Sequence, residues 1–271
     1  MRFQRSFLFL LAAIISLAVT AQAQARKTYQ QMTVSERQSF VAQEARAVAR
    51  KMSGREYQFT PEFETEIQQF VEAYAGRIGK GGDRLFKGDA RPVFERGQTY
   101  APTLMSIFKA RGVSPLIGLY IPLIESEYEN LQTPNEVGAL GMFQFLPATG
   151  ERYGLTTQDL LSVEKSADAA ARYIENNLKR FKDDKMKETL ALLAYNRGER
   201  AVERDVALLV NERNNQCSIC ALTSGRDRLD ATFQTENVAY VPRFFAAAII
   251  GENPQAFGLQ LQPLSSYEIK R

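Results

Sequence analysis

Glu125 is the residue of this sequence best placed to move a proton. Leu116, Ile117, Leu119, Ile121, Leu123 and Ile124 precede it, and together they read as a helix apolar almost all round, as buried helices are. A carboxyl on such a helix is partly stripped of water, which raises its pKa and suits it to general-acid work. Gly118 lies two turns before it and brings no side chain, which leaves room for a groove beside the carboxyl. Pro122, inside the same helix, bends it or loosens its hydrogen bonding. The plainer alternative is a Glu125 close to the helix end and simply solvated, like Glu127 and Glu129; periodicity alone leaves both open. Glu136 and Glu236 are the reserve candidates for the acid.

Three more clusters join polar groups to aromatic ones. Gly138-Ala139-Leu140-Gly141-Met142-Phe143-Gln144-Phe145 sets glycines, which allow close backbone approach, beside an aromatic and an amide. That pairing suits a sugar, whose apolar face stacks while its hydroxyls need partners. A tight turn with a core Phe is the structural alternative. Leu193-Ala194-Tyr195-Asn196 lies at a helix end and Glu236-Asn237-Val238-Ala239-Tyr240-Val241-Pro242 just before a helix; each is equally compatible with capping and packing.

What is missing narrows the chemistry. The sequence has no His, which removes Ser-His and Cys-His nucleophiles and nearly every zinc site. Its two cysteines, Cys217 and Cys220, lie in a polar stretch with no strand before and no clear helix after. A small structural disulfide is the preferred reading; dithiol redox chemistry and a metal site, for which two ligands are too few, are the alternatives.

The elements that must position these groups are helices. Thr33-Val34-Ser35-Glu36 spells a capping box, opening a helix towards Met52. Thr60-Pro61 is a cap followed by Pro at the first helical position; Phe63, Ile67, Phe70, Val71 and Tyr74 continue at helical spacing, closed by Gly76. Residues 80–92 read as a loop, followed by a helix to Arg111 with Gly112 as its stop. Ser114-Pro115 opens the Glu125 helix. Further helices carry Ala170 to Leu178, Leu190 to Ala194, Val202 to Leu209, and a last one from Pro242 to the Asn253-Pro254 stop. The glycine-spaced cluster over 138–145 reads as a short β-hairpin or turn. No internal repeat is visible.

The N-terminus predicts export. Arg2 and Arg5 precede an apolar run over 7–19 that ends in Ala21-Gln22-Ala23, the pattern of a cleaved signal peptide. The run is short for a membrane span, and no Cys follows the cleavage site to carry a lipid anchor. Losing Arg2 and Arg5 lowers the net charge from +3 to +1, too little for a nucleic-acid footprint. The expected organisation is a signal peptide over 1–23, an N-terminal helical region over 24–111, a catalytic domain over 112–260 and a tail over 261–271.

Taken in order, Glu125-Ser126, Gly141-Met142-Phe143-Gln144, Ala194-Tyr195-Asn196 and Tyr240-Val241-Pro242 resemble the lytic transglycosylase family with the soluble-type (SLT) catalytic domain. The branch of membrane-bound lytic transglycosylase D is the nearest. Pro147-Ala148-Thr149, Tyr153-Gly154-Leu155 and the stretch from Asn253-Pro254 to Gly258-Leu259 add to the likeness. The chain departs from the pattern at 133–137, one residue longer, at 156–166, which is shorter, and in its cysteines.

The resemblance implies a mainly α (α+β lysozyme-like) fold: a helical bundle around a catalytic helix, with a short β-hairpin and N-terminal helices. With the N-terminal pattern, it leads to the expectation of a periplasmic, monomeric enzyme that is not lipid-anchored. That enzyme cleaves the MurNAc–GlcNAc β-1,4 bond of peptidoglycan without water and leaves 1,6-anhydro-MurNAc ends. Glu125 is its single acid/base; Ser126, Gly141, Met142, Gln144, Tyr195, Asn196 and Tyr240 contact or orient substrate; no metal or cofactor takes part. Partners are glycan strands and, beyond them, a cell-envelope or secretion machine. A lysozyme-type hydrolase and a non-catalytic peptidoglycan-binding or assembly protein are the rival readings.

Overall fold

The first helices begin where their caps are spelled. The computed structural model describes residues 27–211 and 213–267; the expected signal peptide and the last residues of the expected tail lie outside the described residues. In α1 (Val34–Ser53) the Thr33 hydroxyl accepts from the Glu36 amide while the Glu36 carboxylate accepts from the Thr33 amide. This satisfies two donors that a helix start leaves open. α2 (Pro61–Ala75) is capped by Thr60 and has Pro at its first position. α3 (Arg91–Ala110) follows a loop organised by Asp89, whose carboxylate accepts from the Gly79 and Arg91 amides at 2.8 and 2.9 Å.

α4 (Pro115–Ser126) is the centre of the molecule. Every residue from Leu116 to Ile124 is buried, and α1, α3, α6 and α11 pack against it. Gly118 does not open a groove beside Glu125 as expected: a Cβ there would stand 2.5 Å from the Phe108 ring, so the missing side chain admits α3 instead. The chain continues through α5 (Pro147–Arg152), α6 (Val163–Arg180), α7 (Lys187–Arg197) and α8 (Glu199–Leu209), the last two joined at Gly198. Then come α9 (Ser218–Ser224), the short α10 (Ala231–Thr235) and α11 (Tyr240–Glu252). α11 starts two residues before the expected Pro242, because a proline in the first turn forfeits only an amide that has no helical acceptor.

Three expectations change. The hairpin over 138–145 is reduced to one antiparallel bridge, Leu140 with Phe145, and no strand occurs among the described residues. Gly141 and Gln144 take left-handed backbone angles, φ +72° and +48°, which end a ladder after one pairing. Second, the cysteine stretch does carry a helix. Cys217 caps α9 and Cys220 lies in its first turn; the two form a disulfide. Both are buried, and the Thr60 amide donates to Cys220 Sγ at 3.4 Å. The bond therefore sits under the start of α2, with no face open to a partner thiol. Third, Glu127 is not solvated. It is 2% exposed, paired with Arg77 at 2.7 Å, and accepts the Phe86 amide at 2.9 Å. A buried carboxylate is retained only when paired in this way.

Candidate active site

The two most buried helices, α4 and α11, lie side by side, and each releases one ionisable side chain from its buried surface. In α11 every residue except Arg243 is buried; in α4 only Pro115 and Glu125 are not fully so. Glu125 and Arg243 line the same cleft, of about 590 Å³. Its walls include Leu85 and Phe86 from the loop before α3, Asn135, Gln144 and Phe145 from the segment after α4, and Tyr173, Tyr195 and Asn196 from α6 and α7. Glu125 is the only acidic side chain among the described lining residues; Glu136, between the lining residues Asn135 and Val137, and Glu236 are exposed and do not line it.

Burial pushes the Glu125 carboxyl up from its ordinary 4.5 to about 7. Two neighbours restrain the rise: the Tyr240 hydroxyl, which donates to Glu125 Oε1 at 2.7 Å, and the positive charge of Arg243. Near neutral pH the group is therefore balanced between acid and base, the condition under which one residue performs both proton transfers. The phenols of Tyr240 and Tyr195 are raised well above their ordinary 10 by burial and by the charge of Glu125, so both remain donors. Arg243 Nε is buried and finds no hydrogen-bond partner.

Behind the wall, hydrogen bonds hold the lining groups still. The Ser126 hydroxyl reaches Met142 O at 2.8 Å and Pro122 O at 3.1 Å, tying the end of α4 to the glycine turn. Gly141 is approached not by open space but by the Leu160 carbonyl, which a Cβ would meet at 2.2 Å. The same turn aims Gln144 into the cleft: its Nε2 donates to Gly141 O at 2.7 Å and its Oε1 accepts from Asn135 at 3.2 Å. Tyr195 commits its hydroxyl to Phe143 O at 2.8 Å and packs its ring between Phe145 and Tyr173. Asn196 Oδ1 accepts from Asn237 at 2.7 Å, and Asn237 in turn accepts from Arg197 at 2.9 Å. This chain fixes the amide orientation and leaves the Asn196 NH₂ without a partner among the described residues.

Of the residues singled out in the sequence, Glu125, Gln144, Tyr195 and Asn196 line the cleft together. Tyr240 touches Glu125 from the buried side. Ser126 and Met142 are fully buried and stand, with Gly141, behind the lining, so they position the wall rather than face the cleft. Sequence reasoning passed over Phe86, Asn135, Tyr173 and Arg243. Arg243 had a readable signal, since three residues after Tyr240 it falls on the same helix face. Phe86 had none. Its exposure of 39% and its φ of +60° depend on Glu127 holding its amide from 41 residues away.

Among the described residues no group of His, Cys, Asp and Glu is arranged to hold a metal, and no helix is long and apolar enough to cross a membrane. Residues 106–216 match the family model of the transglycosylase SLT domain. A solved structure of an inactive mutant of the lytic transglycosylase Slt from Pseudomonas aeruginosa is 22% identical, with a TM-score of 0.42 over 60% of this chain. The match spans 25% of that protein's length. No curated protein matches the chain. The matched segment runs from within α3 past α8 and holds Glu125, the glycine turn and Asn196. By that match, residues 106–216 of this chain are similar to the transglycosylase SLT domain.

Proposed function

We propose that the chain is a peptidoglycan lytic transglycosylase with Glu125 as its one acid/base. The observation that carries this is a cleft with a single carboxyl, raised to about 7 and held by Tyr240. Most glycosidases place two carboxylates across the scissile bond, and a cleft with one is suited to a substrate that supplies its own nucleophile. Protonated Glu125 donates to the glycosidic oxygen between N-acetylmuramic acid and N-acetylglucosamine, and that C–O bond breaks. The muramic N-acetyl oxygen supports the anomeric carbon. Glu125, now a carboxylate stabilised by Tyr240 and Arg243, takes the proton from the sugar's own 6-hydroxyl. That oxygen closes the 1,6-anhydro ring, and Glu125 is again an acid. A nucleophile within the substrate enjoys the large effective molarity of a pre-positioned group. Gln144 and the Asn196 amide hold hydroxyl and acetamido groups, Phe86 offers a ring face to a sugar, and Tyr195 shapes the wall beside it.

The finer assignments belong to the same proposal. The Ala194-Tyr195-Asn196 and Tyr240-Val241-Pro242 spellings support the membrane-bound lytic transglycosylase D branch. The N-terminal pattern supports a periplasmic, unanchored protein, and the catalytic domain is taken as 112–260. The deciding experiment is mass analysis of fragments released from purified peptidoglycan. Products ending in 1,6-anhydro-muramic acid, one water lighter than hydrolytic ones, are expected; reducing ends would establish a hydrolase, and no release would establish a binding protein.

A further inference from the structure

The cleft does not end at Asn196. Arg197 and Gly198 line both it and a second basin of about 620 Å³, whose other walls are Arg152, Glu199, Arg200 and Arg204. Most of the charge in this basin is already paired. Arg197 is held by Asp205 and Asp230. Arg152 pairs with Glu199 at 2.8 Å, and Glu199 also accepts from the Tyr173 hydroxyl at 2.9 Å. Arg200 and Arg204 are the exception: neither makes a hydrogen bond or an ion pair with any described residue. Arg204 senses Asp230, but that carboxylate is bonded to Arg197 at 2.7 Å. Both arginines are exposed and lie one helical turn apart on α8, a spacing at which like charges repel. The N-terminal end of α8 adds its positive potential to the same basin.

We propose that this basin binds the carboxylates of the peptide stems of peptidoglycan, so that the enzyme favours stem-bearing strands over stripped glycan. The inference rests on the reading of the cleft as one for peptidoglycan. A stem is attached covalently to the muramic sugar, so a sugar seated in the cleft presents its stem to the adjoining basin at high effective concentration. Guanidinium groups match the two oxygens of a carboxylate. The net charge of only +3 gives the chain as a whole little general attraction for polyanions, and within this basin Arg200 and Arg204 are the two cations left unpaired by any described residue.

The test compares wild type with the double variant Arg200→Gln/Arg204→Gln on three preparations of one glycan: free stems, stems with amidated carboxylates, and no stems. Wild type should show kcat/KM about 3- to 30-fold higher on free stems than on amidated ones, carried by KM, as two exposed charge pairs allow. The double variant should lose that ratio, and Arg200→Lys/Arg204→Lys should restore most of it. Equal treatment of free and amidated stems by wild type, or a ratio unchanged in the double variant, overturns the inference. Calorimetric binding of the same strands to Glu125→Gln, with and without the double substitution, decides the matter independently of cleavage. Absence of cleavage with stem-dependent binding would refute the catalytic reading and keep this one.

Discussion

Replacing Glu125 by Gln is expected to remove most of the activity and, above neutral pH, to make the folded chain more stable. In the folded chain the carboxyl titrates at about 7, against an ordinary 4.5. Below pH 4.5 both folded and unfolded chains carry the proton, and the group contributes nothing. Between 4.5 and 7 the unfolded chain has released it while the folded chain holds it, so stability falls as pH rises. Above 7 the whole cost is present. At about 1.4 kcal/mol per pH unit, ionising Glu125 in the folded chain costs about 3 kcal/mol. Gln keeps the shape and cannot ionise, so at pH 8 the variant should be more stable by about that amount. At pH 4.5 the two should be nearly equal. For a chain of this size that is a gain of about 6–12 °C in melting temperature. The assay is thermal unfolding of both proteins from pH 4.5 to 8.5, with turnover on purified peptidoglycan alongside. Turnover should drop about 100- to 10,000-fold, towards the severe end because one residue serves both transfers. Parallel melting curves at every pH would refute the reasoning, because they would mean a solvated carboxyl of ordinary pKa.

Three further outcomes follow from the same geometry. Arg243→Met removes the charge that restrains Glu125, so the alkaline limb of the kcat/KM profile should move above pH 7; a shift towards acid would contradict the assigned role. Gly141→Ala drives a Cβ to 2.2 Å from Leu160 O at a φ of +72°. It should cost about 3 kcal/mol or more in urea unfolding, and wild-type stability would show that the turn is adaptable. Cys217→Ser with Cys220→Ser opens a loop of sequence separation 3. The loss should be about 2 kcal/mol at most, with activity retained; a loss of turnover matching that of Glu125→Gln would give this loop a part in the chemistry.

The helices were legible because their determinants are local. The Thr33 and Thr60 caps, the prolines at first helical positions and the apolar spacing of α2, α4 and α6 depend only on neighbours in the chain. Glu125 stood out for a related reason: a lone carboxyl on an apolar helix can be recognised from its own helix alone. Whether it was solvated or buried could not be read there, because desolvation comes from side chains distant in sequence. Tyr240, 115 residues away, supplies its hydrogen bond, and Arg243 its nearby charge. The same limit explains the misread residues. Glu127 looked like its exposed neighbour Glu129 until the turn after α2 brought Arg77 against it. Gly118 looked like the edge of a groove until α3 placed Phe108 there. Phe86 became part of the cleft only because Glu127 accepts its amide. The sequence by itself determined the long helices and which carboxyl could act. The tertiary structure alone decided what surrounds that carboxyl, since dielectric, charge and hydrogen bonding at a site depend on which distant elements pack together.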